Sequence, residues 1–175
     1  INEKIRILTE KQKELQTDDF NKALYFFGQL GSIIKNGFFS NSIDIINECK
    51  TIDSKDNMII EVGFKIKSKS GIYCIETDDA DIISEKLDFT LNKNKVNFFE
   101  ITKKEKYLNE SVFIDNEYKK EILSIIEKYW GKHSLLSLIA YEIEDKKENY
   151  VKKKIFNGIF EVINFFSSLS ILSRN

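Results

Sequence analysis

Residues 60–67 read Ile-Glu-Val-Gly-Phe-Lys-Ile-Lys, and this stretch decides the fold. Ile60, Val62, Phe64 and Ile66 fall at every second position, with Glu61, Gly63, Lys65 and Lys67 between them. Successive side chains of a strand point to opposite faces, so a period of two makes one apolar face and one wet face. A helix would scatter the same residues around its circumference. The segment is therefore read as a strand of a sheet packed on one side only.

Outward from it, Ser68 to Gly71 is read as a turn into Ile72–Thr77, which makes a hairpin. Leu87, Phe89 and Leu91, the turn Asn92 to Lys95, and Val96 to Ile101 repeat the pattern. These runs predict an antiparallel sheet of about four strands in the middle of the chain, within residues 58–102. Ala80 to Lys86, between the hairpins, is expected to form one or two helical turns.

On either side of the sheet the period changes to that of a helix. Within residues 1–50, Ile5, Leu8 and Leu15 mark a charged first helix, and Phe20, Ala23, Leu24, Phe27, Gly31 and Ile34 mark a second. A short third helix is predicted over Ser42 to Cys49. Within 115–172, Ile122, Leu123, Ile125, Ile126 and Tyr129 line a helix that Asp115 or Asn116 caps and Gly131 ends. Helices over about 134–147 and 150–172 follow. No repeat or Gly/Ser linker divides these regions, so the expectation is one α+β domain, with the sheet packed by N-terminal and C-terminal helices.

The bulk numbers agree with a packed core. The 175 residues are 42% hydrophobic and include 14 Phe and 7 Tyr, too apolar for a disordered chain. A chain this long buries about 70% of its unfolded surface. Net charge is −1, so no overall field draws it to a polyanion. Arg6 and Arg174 are the only arginines, which limits bidentate recognition of phosphate or carboxylate. Cys49 and Cys74 fit neither a zinc spacing nor a disulfide framework. No secretory leader is read at the start, and Asn157, Glu161 and Asn164 interrupt the longest apolar stretch, Ile155 to Leu172. A cytoplasmic location without membrane contact is the expectation.

Three groups of residues are candidates for a site. Glu76, Asp78, Asp79 and Asp81 supply clustered carboxylates of the kind a hard cation takes, although the spacing is not that of an EF-hand. The competing reading is that Asp78 and Asp79 cap a short helix. Lys65, Lys67 and Lys69 with Tyr73 could bind single-stranded nucleic acid through phosphate attraction and base stacking, or serve as solvated surface that blocks edge pairing. Ile155, Ile159, Phe160, Val162, Phe165 and Phe166 make an apolar surface wider than one core-facing stripe needs, placing the last helix either at the centre of the core or in a protein interface. The ring pairs Phe26-Phe27, Phe38-Phe39, Phe98-Phe99 and Phe165-Phe166 add to that surplus, because neighbours in a strand or helix point in different directions.

Other signatures are weak or missing. His133, the only histidine, sits beside Ser134 in an expected turn, and adjacency in sequence does not make a triad. Gly28-Gln29-Leu30-Gly31 lies in a helical pattern without a basic flank. No dinucleotide-binding or phosphate-binding glycine motif occurs. The expected function is a non-catalytic protein-interaction module, such as an adaptor, accessory subunit, inhibitor or immunity-type protein, without a cofactor and with a protein partner or self-association. The alternatives are a nucleic-acid-binding accessory protein using the Lys-bearing sheet face and, third, a metal-dependent enzyme.

Overall fold

A computed structural model describes residues 54–146 and 148–168, together with Ile43, Ile46 and Lys50. The expected helices before Ser42, the Gly28–Gly31 segment and the pairs Phe26-Phe27 and Phe38-Phe39 lie outside the described residues. Ile43 and Ile46 are helical, and Ile46 is buried.

The fold is α+β. Five antiparallel strands follow one another in space as in sequence: β1 (Met58–Ile66), β2 (Lys69–Thr77), β3 (Ile82–Leu91), β4 (Asn94–Thr102) and β5 (Lys106–Leu108). Helices α1 (Asn116–Tyr129), α2 (Leu135–Lys146), α3 (Glu148–Val151) and α4 (Gly158–Ser168) come after the sheet. The alternation at residues 60–67 has the predicted consequence. Glu61, Gly63 and Lys65 are exposed, Phe64 is buried, and Ile60, Val62 and Ile66 pack partly covered against the core.

Two sequence expectations for the sheet are corrected. Ala80–Lys86 is not helical, because Ile82 onward belongs to the ten-residue strand β3. The first hairpin turns at Lys67-Ser68 rather than Ser68–Gly71, with Lys67 at φ 55°; Asn92 takes φ 56° at the second turn. Gly71 instead lies within β2, where a Cβ would stand 2.4 Å from Phe64 Cζ and 2.8 Å from Phe89 Cδ2. The glycine lets the two rings stack across it, with centroids 5.5 Å apart.

The pair Phe98-Phe99 is also resolved by backbone geometry. Register runs from Leu87 opposite Phe99 to Asp88 opposite Asn97, so Phe98 is the extra residue of a bulge. Both rings are fully buried as a result. Neither is left over for a partner.

Among the helices, Asp115 caps α1 as expected, accepting the Tyr118 N–H at 2.7 Å. Gly131 at φ 100° turns the chain after Trp130, and its carbonyl accepts the Ile82 N–H at 2.8 Å, tying the α1–α2 connection to the start of β3. The single helix expected from Tyr150 is broken. Phe156 N–H donates to Val112 O at 2.7 Å and Asp115 N–H to Lys154 O at 3.2 Å. These bonds hold residues 152–157 against the approach to α1, so α4 starts only at Gly158. Among the described residues, no helix is long and apolar enough to cross a membrane.

Candidate functional site

The four acidic candidates surround the β2–β3 connection, and each turns to a different partner. Asn57 Nδ2 donates to Glu76 at 2.7 Å. Asp78 accepts the N–H groups of Ala80 and Asp81 at 2.9 and 2.8 Å and pairs with Lys103 at 2.8 Å. Asp79 pairs with Lys50, and Asp81 with Lys132 at 2.6 Å. Lys103 foremost, then the Ala80 amide, hold Asp78 down to about 2 from the ordinary 3.8. Asp78 caps a turn into a strand, not a helix. Among the described residues, no three His, Cys, Asp or Glu side chains gather in a group that could hold a metal ion.

The Lys and Tyr candidates are divided between faces. Lys65 and Lys67 are exposed, on β1 and in its turn. Lys69 is drawn toward α4, pairing with Glu161 at 2.8 Å and lying 6.0 and 5.9 Å above the centres of the Phe89 and Phe156 rings. Tyr73 points the opposite way from Lys65, into the core, with 1% of its surface exposed. A stacking platform needs its ring and its cations on one side, and these residues do not provide that.

Helix α4 lies against β1, β3 and α2. Ile155, Ile159, Phe160, Val162 and Phe166 are buried, and Phe165 is half-buried with its ring stacked 5.5 Å from Phe64. The broad apolar surface read from the sequence is that of a central helix, serving the interior on several sides.

Sequence reasoning missed Glu85. Its carboxylate, on the buried face of β3, is fully enclosed. It accepts the Tyr73 hydroxyl at 2.7 Å, the Trp130 indole N–H at 2.9 Å and the Leu135 N–H at 2.7 Å. Burial pushes its pKa up, while the Leu135 amide and the Tyr73 and Trp130 donors pull it back. The Leu135 contact places a negative group at the first turn of α2, where the unpaired N–H groups favour it. Ser134 supplies the cap, its hydroxyl accepting the Ser137 N–H at 3.2 Å, and the half-buried His133 lies in the preceding connection. Period-two counting back from Phe89 through Leu87 would have put Glu85 on the core face.

The other face of the sheet is the one turned away from α4. Strand register aligns Glu61, Cys74, Lys86, Glu100 and Tyr107 in one row across all five strands. Beside it run Gly63, Ile72, Asp88 and Asn97 on one flank, and Ile59, Glu76, Ser84 and Thr102 on the other. Ile59 is 64% exposed at one margin and Tyr107 50% at the opposite margin. Lys86 and Glu100 pair at 3.1 Å, and Asn97 donates to Asp88 at 3.1 Å. Burial, then Glu61 and Glu76, push the Cys74 thiol up, which keeps it protonated and a poor nucleophile.

The chain matches no protein-family model, no curated protein and no solved structure at a significant level. Chemistry must therefore be read from the surfaces themselves. Four carboxylates (Glu61, Glu76, Asp88, Glu100) and three ammonium groups (Lys65, Lys86, Lys95) share this face, so its charge is mixed, without a positive excess.

Proposed function

We propose that the chain is a non-catalytic protein-interaction module, an adaptor, accessory subunit, inhibitor or immunity-type protein, whose contact surface is the face of the sheet turned away from α4. The observation that carries this reading is the exposure of Ile59 and Tyr107 at opposite margins of a face spanning five strands. Exposed large apolar side chains on a rigid sheet are surface that a protein partner could cover. The burial of α4 moves the proposed surface away from the last helix and onto the sheet.

The test is quantitative affinity purification from the source cells, comparing the unmodified chain with an Ile59→Asp, Tyr107→Ala double variant. Both positions are exposed, so the variant should keep the far-UV dichroism and melting profile. A defined protein captured by the unmodified chain and lost from the variant supports the reading. Capture that is unchanged, or no specific capture, rejects it.

A further inference from the structure

The two edges of the sheet differ. β5 is three residues long, whereas β1 runs nine residues with continuous register against β2 and no bulge. Long regular edges are ordinarily defended by charged side chains such as lysine, by proline, bulges, short length or inward charge, because their outer N–H and C=O groups invite another strand; β1 carries Lys65, a defence that an opposed Glu61 would neutralise. β1 has no proline, and its core-side residues Ile60, Val62 and Ile66 stay only partly covered, while Tyr73, Ile75, Leu87 and Phe89 on β2 and β3 are buried. An additional strand alongside β1 would cover that remaining apolar surface.

We propose that the occupant is β1 of a second copy, paired antiparallel across a two-fold axis through Gly63. Opposed residues of an antiparallel pair share a face, so a two-fold axis normal to the sheet must pass through a residue rather than between residues. Placing it at Glu61 or Lys65 sets like charges against each other. At Val62 it sets Glu61 against Gly63 and Lys65 against Ile59. At Gly63 it sets Glu61 of each copy against Lys65 of the other, twice, on the wet face. The same register sets Val62 against Phe64 and Ile60 against Ile66 on the core side. Gly63 itself brings no side chain to the axis, and the space where its Cβ would stand is empty. The product is one continuous ten-stranded sheet, an isologous dimer. It concerns the edge rather than the face and does not depend on the interaction proposed above.

Sedimentation equilibrium over a range of concentrations should show a reversible dimer. Glu61→Lys, which opposes Lys to Lys at both sites, should raise its Kd at least about tenfold, and the exchange Glu61→Lys with Lys65→Glu should restore it. In a background of Cys49→Ser and Cys74→Ser, Gly63→Cys should form an intermolecular disulfide on oxidation, reporting the axis directly. A monomer at every concentration overturns the inference, as does a dimer indifferent to Glu61→Lys or one in which Gly63→Cys does not cross-link. Circular dichroism of each variant separates loss of pairing from loss of fold.

Discussion

The Tyr73 hydroxyl on β2 donates to the Glu85 carboxylate on β3 at 2.7 Å, both side chains lying within the core. Trp130 and Leu135 donate to the other carboxylate oxygen, so one side chain joins two strands, the end of α1 and the start of α2. The bonds satisfy a group whose isolated burial would be prohibitive.

Removing the acceptor should therefore cost more than removing one donor. Glu85→Ala takes the acceptor from the buried Leu135 amide, the part-buried Trp130 indole and the Tyr73 hydroxyl at once and should lower unfolding free energy by on the order of 3–5 kcal/mol. Tyr73→Phe removes one bond to a charged acceptor and should cost about 1.5–3 kcal/mol. Urea denaturation of both variants checks the order; equal losses would mean that Glu85 is not the hub.

The same residue predicts a pH dependence. Burial raises the folded pKa of Glu85 above its ordinary 4.5, so between those values the folded state holds more proton than the unfolded state. Its contribution to stability is smallest above the raised folded pKa, grows as pH falls toward 4.5, and is level below that. Glu85→Gln abolishes this titration. Plotted against pH, the stability difference between the unmodified chain and Glu85→Gln should move in favour of the unmodified chain as pH falls through that window.

The strand period at residues 60–67 gave the sheet its correct face because β1 is regular, without bulge or special turn inside it. Where a bulge intervenes, simple alternation fails. Phe98 and Phe99 look like one inward and one outward ring, and the β4 bulge turns both inward. β3 begins with another irregularity, near Thr77 opposite Ile82, which interrupts the period and disguises the strand start as a helical turn. Glu85 was hidden with it. The breadth of the apolar surface on α4 was legible, but what covers it is set by tertiary packing against β1, β3 and α2. The partners of the acidic cluster were not legible either, since proximity in sequence says nothing of Lys50, Lys103 and Lys132 arriving from elsewhere to pair with Asp79, Asp78 and Asp81.

Gly71 was read as a turn residue, and its place between Phe64 and Phe89 gives a different expectation. Gly71→Ala puts a methyl within 2.4 Å of the Phe64 ring and should cost about 1–3 kcal/mol through overpacking. Phe64→Leu removes the ring atoms nearest that methyl. A double-mutant cycle should consequently show the pair losing less than the sum of the two single losses, whereas strict additivity would place the strain elsewhere.

Lys67 and Asn92 hold equivalent turn positions at φ 55° and 56°. Asparagine tolerates this left-handed backbone and lysine does so at a cost of roughly 1–2 kcal/mol. Lys67→Gly should stabilise the chain by about 0.5–1 kcal/mol once the greater freedom of glycine in the unfolded state is set against the relieved strain. Asn92→Ala should do the opposite. Thermal melts of the two variants check the signs, and a loss of stability in Lys67→Gly would show that the lysine side chain contributes more than its backbone costs.

Asp78 supplies the acid limb of the stability profile. Its carboxylate is held down to about 2 by Lys103 first and by the Ala80 amide after it. A depressed acid contributes stability above its unfolded pKa, and that contribution is lost as pH falls from 3.8 through about 2. Lys103→Ala removes the first cause while leaving the Ala80 and Asp81 bonds in place. The Asp78 pKa should then rise part of the way toward 3.8, and the loss of stability should begin at a higher pH than in the unmodified chain. Carboxyl-detected NMR titration follows the first change and acid unfolding the second. An Asp78 titration unmoved by Lys103→Ala would assign the depression to the two backbone amides alone, making the turn rather than the ion pair the element that orders the β2–β3 connection.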